Sequence, residues 1–206
     1  MTAKTDQTLD IELLSPPRRQ SIWLPKSLCR KNAWRIVSGE WQILSPYGII
    51  YINRPTEKNA ENISVVGYHS WDAYTLQIVL KILTPSSKPP EGGAIVYFRF
   101  INARNYYSLH ICLIKQKIEL IKRFRGVWST LAEQYCEIKT NTEHNLFIST
   151  HSSFHECKID NQETLTCFDS DIQKGCVGIG VKYCDVNFRH MRISLHPEME
   201  FQGFNQ

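Results

Sequence analysis

Polar and aromatic side chains recur at alternate positions along three consecutive stretches in the middle of the sequence. The predicted ligand-binding side chains are Tyr97, Arg99, Ser108, His110 and Glu119, with Trp71 and Gln77 flanking them. Alternate positions of a β-strand share one face, and neighbouring strands bring them to within about 5 Å of each other. That face would offer aromatic, guanidinium, imidazole and carboxylate groups. Such a set suits a sugar or a peptide, because CH groups stack on rings while hydroxyl groups pair with charges.

An alternative interpretation gives the same residues a structural role. Arg99 and Glu119 could form only a cross-strand ion pair of little energetic value, with Tyr97 covering the sheet. The two interpretations predict different results for Arg99→Ala. A binding role predicts loss of the ligand with little change in stability, whereas unfolding would make Arg99 structural.

The sequence matches no complete catalytic arrangement. Ser108 and His110 are spaced as a nucleophile and its base could be, but no acidic residue evidently orients His110 and no G-x-S-x-G pattern occurs. Glycoside hydrolysis generally needs two carboxyl groups about 5–9.5 Å apart, and no such pair is evident. We therefore predict that the chain is not an enzyme, with a glycoside hydrolase-like activity as the weaker alternative.

Two groups of residues resemble metal sites without completing one. Asp169 and Asp171 could form a weak calcium site, although two carboxylates alone rarely suffice and a turn role is favoured. His151, His155 and Cys157 have the spacing H-x-x-x-H-x-C, but they fall on a predicted hairpin rather than on a helix that would bring the histidines together. No metal site and no other cofactor are predicted.

The elements that must position these residues are β-strands. Period-two alternation predicts strands over 73–82, 94–100, 106–113 and 117–120, the last three forming a meander. The same alternation places Phe98 and Phe100 toward the core and Arg99 on the opposite face. Thr130 and Glu133 have the spacing of a capping box, which leaves 130–139 open between a helix and a strand. Four tryptophans are predicted to be core or sheet-covering residues: Trp23, Trp34, Trp41 and Trp128.

Composition narrows the class of protein. The chain has 206 residues, of which 42% are hydrophobic and 11% aromatic, so it can bury a substantial core and disorder is not expected. The formal net charge is only +4, and the basic clusters are short. A nucleic-acid-binding protein usually concentrates basic residues in a stripe, so no nucleic-acid partner is predicted. No stretch approaches the ~18 apolar residues of a membrane span, so no membrane partner is predicted.

Several motifs in order resemble one fold family. Gly92–Phe100, followed by Asn105–Leu109, resembles the GG…FRF…NYY core of concanavalin A-like jelly rolls, which include laminin-G-like and keto-disaccharide hydrolase-like domains. Trp34–Trp41 resembles their opening W…G-x-W pattern, and Trp71–Tyr74 resembles a W-x-D-Y pattern with the Asp shifted by one residue. Gly175–Ile179 resembles part of the closing section. The resemblance covers roughly 33–196.

The resemblance implies an all-β, two-sheet antiparallel jelly-roll sandwich with about six strands in each sheet. A ligand in this fold usually binds on the concave sheet or its rim loops. The sequence departs from the hydrolytic members, because Ser108 stands where they often carry an acidic residue and because no E-x-D-x-x-E spacing occurs. The predicted organisation is an N-terminal extension over 1–32, the sandwich over 33–196 and a C-terminal tail over 197–206.

Two functions remain open at this stage. The first is a non-enzymatic, lectin-like recognition module that binds a glycan or a protein segment on the concave sheet. The second is an intracellular assembly or accessory subunit that uses the sandwich as a docking scaffold. Seven widely spaced cysteines without a C-x-x-C pair indicate free thiols, and the N-terminus does not resemble a secretory signal, so a cytoplasmic location is predicted.

Overall fold

The computed structural model describes residues 34–44, 48–51, 61–83 and 92–196. The predicted extension over 1–32 and the predicted tail over 197–206 lie outside these residues. The described chain contains fourteen β-strands: β1 (Arg35–Ser38), β2 (Trp41–Leu44), β3 (Gly48–Tyr51), β4 (Asn62–Val66), β5 (Tyr74–Ile82), β6 (Gly93–Asn102), β7 (Asn105–Cys112), β8 (Lys117–Phe124), β9 (Val127–Tyr135), β10 (Glu143–His151), β11 (Phe154–Ile159), β12 (Glu163–Phe168), β13 (Cys176–Lys182) and β14 (Val186–Leu195).

The strands form two sheets whose neighbouring strands pair antiparallel. Sheet A has the strand order β1-β4-β13-β6-β7-β8-β9, and sheet B has the order β12-β11-β10-β5-β14-β3-β2. The expected two-sheet antiparallel sandwich is confirmed, but the expected count of about six strands per sheet is too low, since each sheet has seven in the described chain. The predicted meander is confirmed and continues into β9.

Alternation of apolar residues explains why the two sheets pack together. In β5, the side chains of Tyr74, Leu76, Ile78, Leu80 and Ile82 are buried, while those between them are half-buried or exposed. The buried side chains join those of sheet A in one core between the sheets. Full burial of a large apolar side chain contributes about 1.5–3 kcal/mol, so a core of this size holds the sheets face to face.

The stretch 130–139, for which the sequence is compatible with either a helix or a strand, is mostly a strand. Residues 127–135 form β9, which pairs with β8 along its whole length, from Phe124 opposite Val127 to Lys117 opposite Tyr135. Tertiary pairing therefore overrides the local capping-box signal of Thr130 and Glu133.

Two β-bulges change which side chains share a face. In β6 the pairing with β7 shifts register between Phe98 and Asn102, and Arg99 has a positive φ of 46°. In β14 the pairing with β5 shifts between Arg189 and Arg192, and His190 has a positive φ of 47°. An extra residue in one strand of a pair redirects the side chains that follow it, which simple alternation cannot predict.

Candidate functional site

The face of sheet A that is turned away from the core, here called the outer face of sheet A, carries most of the predicted site. Pairing between strands aligns Ile95, His110, Glu119 and Glu133 in one row across β6, β7, β8 and β9. The next row across the same strands contains Tyr97, Ser108, Ile121 and Thr130. A third row brings Tyr106, Arg123 and Trp128 together.

One half of this face is an apolar cluster. Its buried members are Ile63, Val65, Ile95, Tyr97, Phe100, Tyr106 and Cys176. Gly178 and Gly180 of β13 leave room for the Tyr97 ring, because a Cβ on Gly180 would lie 2.6 Å from Cε2 of Tyr97. The Tyr97 hydroxyl donates to Oε2 of Glu61 at 3.1 Å. Burial and the nearby Glu61 carboxylate both hold the pKa of Tyr97 well above its usual value.

The other half of the face contains an open pocket of about 320 Å³. Its lining includes His110, Lys115, Glu119, Ile121 and Trp128. Trp128 is 42% exposed, which makes it an accessible aromatic platform.

Polar groups surround the Trp128 ring closely. The His110 ring is nearly perpendicular to it, with centroids 6.1 Å apart. The Arg123 guanidinium carbon lies 4.9 Å from the indole centroid, within the range of a cation–π contact. The platform is therefore fixed between an imidazole and a guanidinium.

A cluster of charges includes Glu119 of the pocket lining and extends along β8 and β9 away from Trp128. Nζ of Lys117 is 2.5 Å from Oε1 of Glu119 and 2.7 Å from Oε2 of Glu133. Hydrogen bonds to the two carboxylates raise the pKa of Lys117, and the bond from Lys117 lowers the pKa of Glu133. Lys117 and Glu133 are therefore charged at neutral pH, and the cluster offers both donors and acceptors to a polar ligand.

Four of the seven predicted site residues lie on the outer face of sheet A, at two different depths. His110 and Glu119 line the pocket. Tyr97 and Ser108 have no exposed surface, so their side chains are buried under neighbouring groups on this face and are not accessible to solvent. Ser108 and His110 do share a face of β7, as the alternation predicted.

The predicted placement of Arg99 on this face is wrong. The bulge in β6 turns Arg99 toward the interior and turns Phe100 outward into the apolar cluster, so the predicted core position of Phe100 is also wrong. The guanidinium donates to the backbone oxygens of Ile172 and Asp72, both at 2.9 Å. Arg99 is 1% exposed, and burial lowers the pKa of its side chain.

The two predicted flanking residues lie away from this face. Trp71 is 6% exposed and packs in the main core, with its ring edge-on to Tyr68 and Tyr74. Gln77 is exposed on the outer face of sheet B, on the opposite side of the sandwich. The structure therefore does not bring Trp71 or Gln77 to the pocket beside Trp128.

The structure adds residues that sequence reasoning did not select as ligand-binding. The sequence predicts Trp128 to be a core or sheet-covering residue, and Arg123 belongs to one of the short basic clusters, Lys122-Arg123 with Arg125. The signal that could have found them is the alternation of β8, continued through the turn at 125–126 into β9, which places Arg123 directly opposite Trp128.

The two candidate metal groups have other contacts in the structure. The Lys122 ammonium binds Oδ2 of both Asp169 and Asp171, and the Tyr107 hydroxyl donates to Oδ1 of Asp169. Burial raises the pKa of Asp169, but the hydrogen bonds from Lys122 and Tyr107 outweigh it and lower the pKa overall. His155 is buried, and its Nδ1 lies 2.9 Å from Oγ1 of Thr150. Among the described residues no group of three or more His, Cys, Asp or Glu side chains could hold a metal ion.

Two further findings concern the cysteines and membrane-spanning helices. The six cysteines within the described ranges are free thiols, as the sequence predicted for the chain. In the same ranges no helix is long and apolar enough to cross a membrane.

Comparison with solved structures identifies the fold. Carbohydrate binding module CBM66 from Bacillus subtilis matches with a TM-score of 0.68 and 18% sequence identity, covering 79% of this chain and 95% of that chain. A protein of unknown function with a galectin-like fold from Bacillus subtilis matches with a TM-score of 0.59 and 12% identity, covering 79% and 89%. The exoplasmic/lumenal domain of VIP36, in a form bound to Ca2+ and Man3GlcNAc, matches with a TM-score of 0.59 and 11% identity, covering 80% and 84%.

The sequence comparisons add no closer relationship. No protein-family model matches the chain, and no curated protein matches it. The structural matches show that the chain has the concanavalin A-like jelly-roll fold, which confirms the fold that the sequence resemblance implied.

Proposed function

We propose that this protein is a non-enzymatic, lectin-like recognition domain that binds a saccharide on the outer face of sheet A. The observation that carries the proposal is the exposed Trp128 ring, which lies between His110 and Arg123 at the edge of a pocket of about 320 Å³. An indole face and neighbouring charged groups match the two surfaces of a sugar ring, one of CH groups and one of hydroxyl groups.

The charges around Glu119, which lines the same pocket as Trp128, suit a neutral saccharide. Lys117 lies between Glu119 and Glu133, so the cluster presents ammonium and carboxylate groups within one short stretch of β8 and β9. Sugar hydroxyl groups both donate and accept, and charge-assisted hydrogen bonds are stronger than neutral ones. The cluster would therefore bind hydroxyl groups while the indole stacks on the CH face.

The fold supports this class of ligand at a general level. One structural match is named as a carbohydrate binding module, and another is a domain with Man3GlcNAc bound. Their sequence identities are 18% and 11%, so the type of sugar and its binding residues are not transferred to this chain.

The absence of catalysis is part of the proposal. A glycoside hydrolase needs one carboxyl group protonated near neutral pH, usually because its pKa is raised. Glu119, which lines the pocket, instead forms an ion pair with Lys117, and Lys117 lowers the pKa of the adjacent Glu133. A cytoplasmic location also stays a prediction, with which the free thiols are compatible.

A glycan-array screen followed by calorimetric titration of the strongest hit tests the proposal. We expect the wild-type protein to bind at least one saccharide and Trp128→Ala to bind it at least tenfold more weakly, about 1.4 kcal/mol. Phe168→Ala is the matched control, because Phe168 is an aromatic residue that is 79% exposed on β12 in sheet B. Equal binding by the wild type and Trp128→Ala would contradict the proposed site.

The second candidate function is docking of a protein segment along β9. This strand ends sheet A in the part of the chain that the structure describes, and its Val127 and Tyr135 are 70% and 75% exposed. Strand edges with exposed apolar side chains can accept another strand. A stoichiometric protein partner that is lost in a Val127→Glu, Tyr135→Ala double variant, together with no saccharide binding, would favour this candidate.

A further inference from the structure

The free edge of sheet A is strand β9, which is the last strand of that sheet in the part of the chain that the structure describes. Natural edge strands are usually protected by lysine or proline residues, because an open edge accepts another strand. β9 contains neither residue type. Its one charged residue, Glu133, forms an ion pair with Lys117 of the neighbouring strand. Charge and proline therefore do not protect this edge.

A β-bulge divides β9 into two halves. The pairing with β8 skips Leu131, because the residues on either side of it lie opposite consecutive residues of β8. Leu131 and Ala132 both pack against the main core, as two successive residues in a bulge can. Three steps rather than two therefore separate Thr130 from Glu133, although both side chains are exposed on the outer face of sheet A.

The turn before β9 determines where the backbone groups of its first half point. Arg125 and Gly126 form a two-residue turn in which both have a positive φ, of 53° and 87°. The residues that flank such a turn are hydrogen-bonded to each other, so the backbone groups of Val127 point toward β8. The direction alternates along a strand, so those of Trp128 and Thr130 point away from β8.

A hydrogen bond after β9 determines the direction in its second half. The backbone N of Cys136 donates to the backbone oxygen of Gln116 at 3.0 Å, so this group points toward β8. The backbone groups of Tyr135 and Glu133 therefore point away from β8. The residues that direct their backbone groups outward along the edge are thus Trp128, Thr130, Glu133 and Tyr135.

The spacing of these four residues makes the edge complementary to a second copy of itself. Antiparallel pairing about a two-fold axis can place Trp128 opposite Tyr135 of the second copy, and Thr130 opposite Glu133 of the second copy. The three-step gap in one strand then faces the same gap in the other. A regular strand has two-step spacing throughout, so it could follow only one half of β9. The bulge therefore favours a second copy over a foreign strand.

The side chains are complementary in the same register. Trp128 and Tyr135 are 42% and 75% exposed, and the pairing would bury part of each ring against the other. The basic end of β9, with the exposed Arg125, would meet the end that carries the exposed Glu137. Glu137 is bound only by Lys139, in an exposed ion pair at 3.3 Å that contributes little energy, so it can also accept Arg125 of the second copy.

We propose that two copies of this protein associate through their β9 edges, antiparallel, and join their two A sheets into one continuous sheet. The two-fold axis passes between Leu131 and Ala132, where the two bulges face each other. Each pair of opposite edge residues can exchange two hydrogen bonds. Tyr135 of the second copy would lie beside Trp128, on the same outer face. The dimer goes beyond the proposed function and requires no saccharide.

Sedimentation equilibrium over about 1–100 μM protein tests the proposal, since weak dimers dissociate in this range. We expect the wild type to reach twice the mass of one chain reversibly. Thr130 would lie opposite Glu133 of the second copy, so Thr130→Glu should weaken dimerisation about tenfold and Thr130→Lys should strengthen it about threefold. Thr164→Glu and Thr164→Lys are the matched controls, because Thr164 is an exposed threonine on β12 of sheet B, and neither should change dimerisation.

Thermal unfolding of the same four variants separates association from folding. All four substitutions are at exposed positions, so the variants should remain folded whether or not they dimerise. A wild-type protein that is monomeric at every concentration would overturn the proposal. Equal dimerisation of Thr130→Glu and Thr130→Lys, or a dimer that responds instead to the Thr164 substitutions, would also overturn it. The experiment contains no saccharide, so its result is independent of whether the site beside Trp128 binds one.

Discussion

The guanidinium of Arg99 lies among backbone oxygens in the interior, where it links parts of the chain that are distant in sequence. It donates to Ile172 in the segment before β13 and to Asp72 in the segment before β5. The backbone N of Arg99 also donates a hydrogen bond to the Tyr74 hydroxyl at 2.8 Å. Arg99 thus fixes two irregular segments to the bulge of β6.

We predict that Arg99→Ala destabilises the protein by about 3 kcal/mol, because two buried carbonyl groups lose their donor and a cavity remains. The midpoint of urea denaturation measures this change. Arg104→Ala is the control, since Arg104 is exposed and its loss should change stability by less than about 0.5 kcal/mol. Equal stability of Arg99→Ala and the wild type would contradict the structural role.

His155 is a buried, neutral histidine with both ring nitrogens in use. Nε2 donates to the backbone oxygen of Asp169 at 3.1 Å, which leaves Nδ1 as the acceptor for the Thr150 hydroxyl. Its ring centroid lies 4.5 Å from that of Tyr107. Burial, with a smaller effect from the charge of Arg99, lowers the pKa of His155 to about 4.

This lowered pKa predicts a loss of stability in mild acid. The unfolded chain takes up a proton at this histidine near pH 6.5, whereas the folded protein does so only near pH 4. The contribution of His155 to the free energy of unfolding is therefore fully present above pH 6.5. It falls by about 3 kcal/mol as the pH drops to 4. Urea denaturation between pH 7 and pH 4 should show that His155→Gln loses less stability with falling pH than the wild type does. His151→Gln, on the same hairpin, should follow the wild type, and identical pH profiles for all three proteins would refute the prediction.

At the scale of a strand, β13 illustrates how small residues position a large one. Gly178 and Gly180 face the outer side of sheet A, where the Tyr97 ring lies across β13. The neighbouring side chains of Val177, Ile179 and Val181 are buried in the main core. The strand therefore packs on both of its faces. Its valine and isoleucine side chains pack in the core, and the backbone at its glycines packs against Tyr97 on the outer face.

We predict that Gly180→Ala destabilises the protein by about 1–3 kcal/mol, because its Cβ would lie 2.6 Å from the Tyr97 ring. Gly92→Ala is the control, since the nearest atom to its Cβ would be at 3.5 Å. Thermal unfolding compares the two variants. If Tyr97 is the obstacle, Tyr97→Leu should cost less in the Gly180→Ala background than in the wild type. Additive effects of the two substitutions would contradict the packing explanation.

The strands themselves were largely predictable from alternation, as the agreement of β5 and the three-strand meander shows. Local periodicity contains no information about which distant strands pair, so the positions of β13 between β4 and β6 and of β14 between β5 and β3 could not be derived from it. The bulges at Arg99 and His190 could not be predicted either. One extra residue moves the side chains that follow it to the other face of the sheet, and the amino-acid composition of the strand does not reveal this.

The candidate site was predictable only in part for the same reason. His110 and Glu119 lie on regular parts of β7 and β8, where alternation holds. Arg99 lies in a bulge, and Gln77 belongs to the other sheet, so both were assigned to the wrong surface. Trp128 was missed because the sequence interpretation treats it as a core or sheet-covering residue, and it lies just before the stretch 130–139 for which helix and strand stayed open.

At the scale of the whole molecule, the sandwich presents two outer faces with different chemistry. The outer face of sheet A combines an exposed indole with the ion-paired group of Lys117, Glu119 and Glu133. The outer face of sheet B carries amides with His190 and Arg192 around its pocket. One packed core between them fixes both faces, so each can be altered by surface substitutions with little effect on the other.

The central claim is that a saccharide binds beside Trp128, and backbone amide NMR during a titration with the strongest glycan-array hit tests it most directly. We predict saturable shift changes that concentrate on β7, β8 and β9, with the largest around His110, Glu119 and Trp128. Trp128→Ala should reduce these changes at the same saccharide concentration. Saturable changes that instead concentrate on sheet B, or that persist unchanged in Trp128→Ala, would contradict the claim.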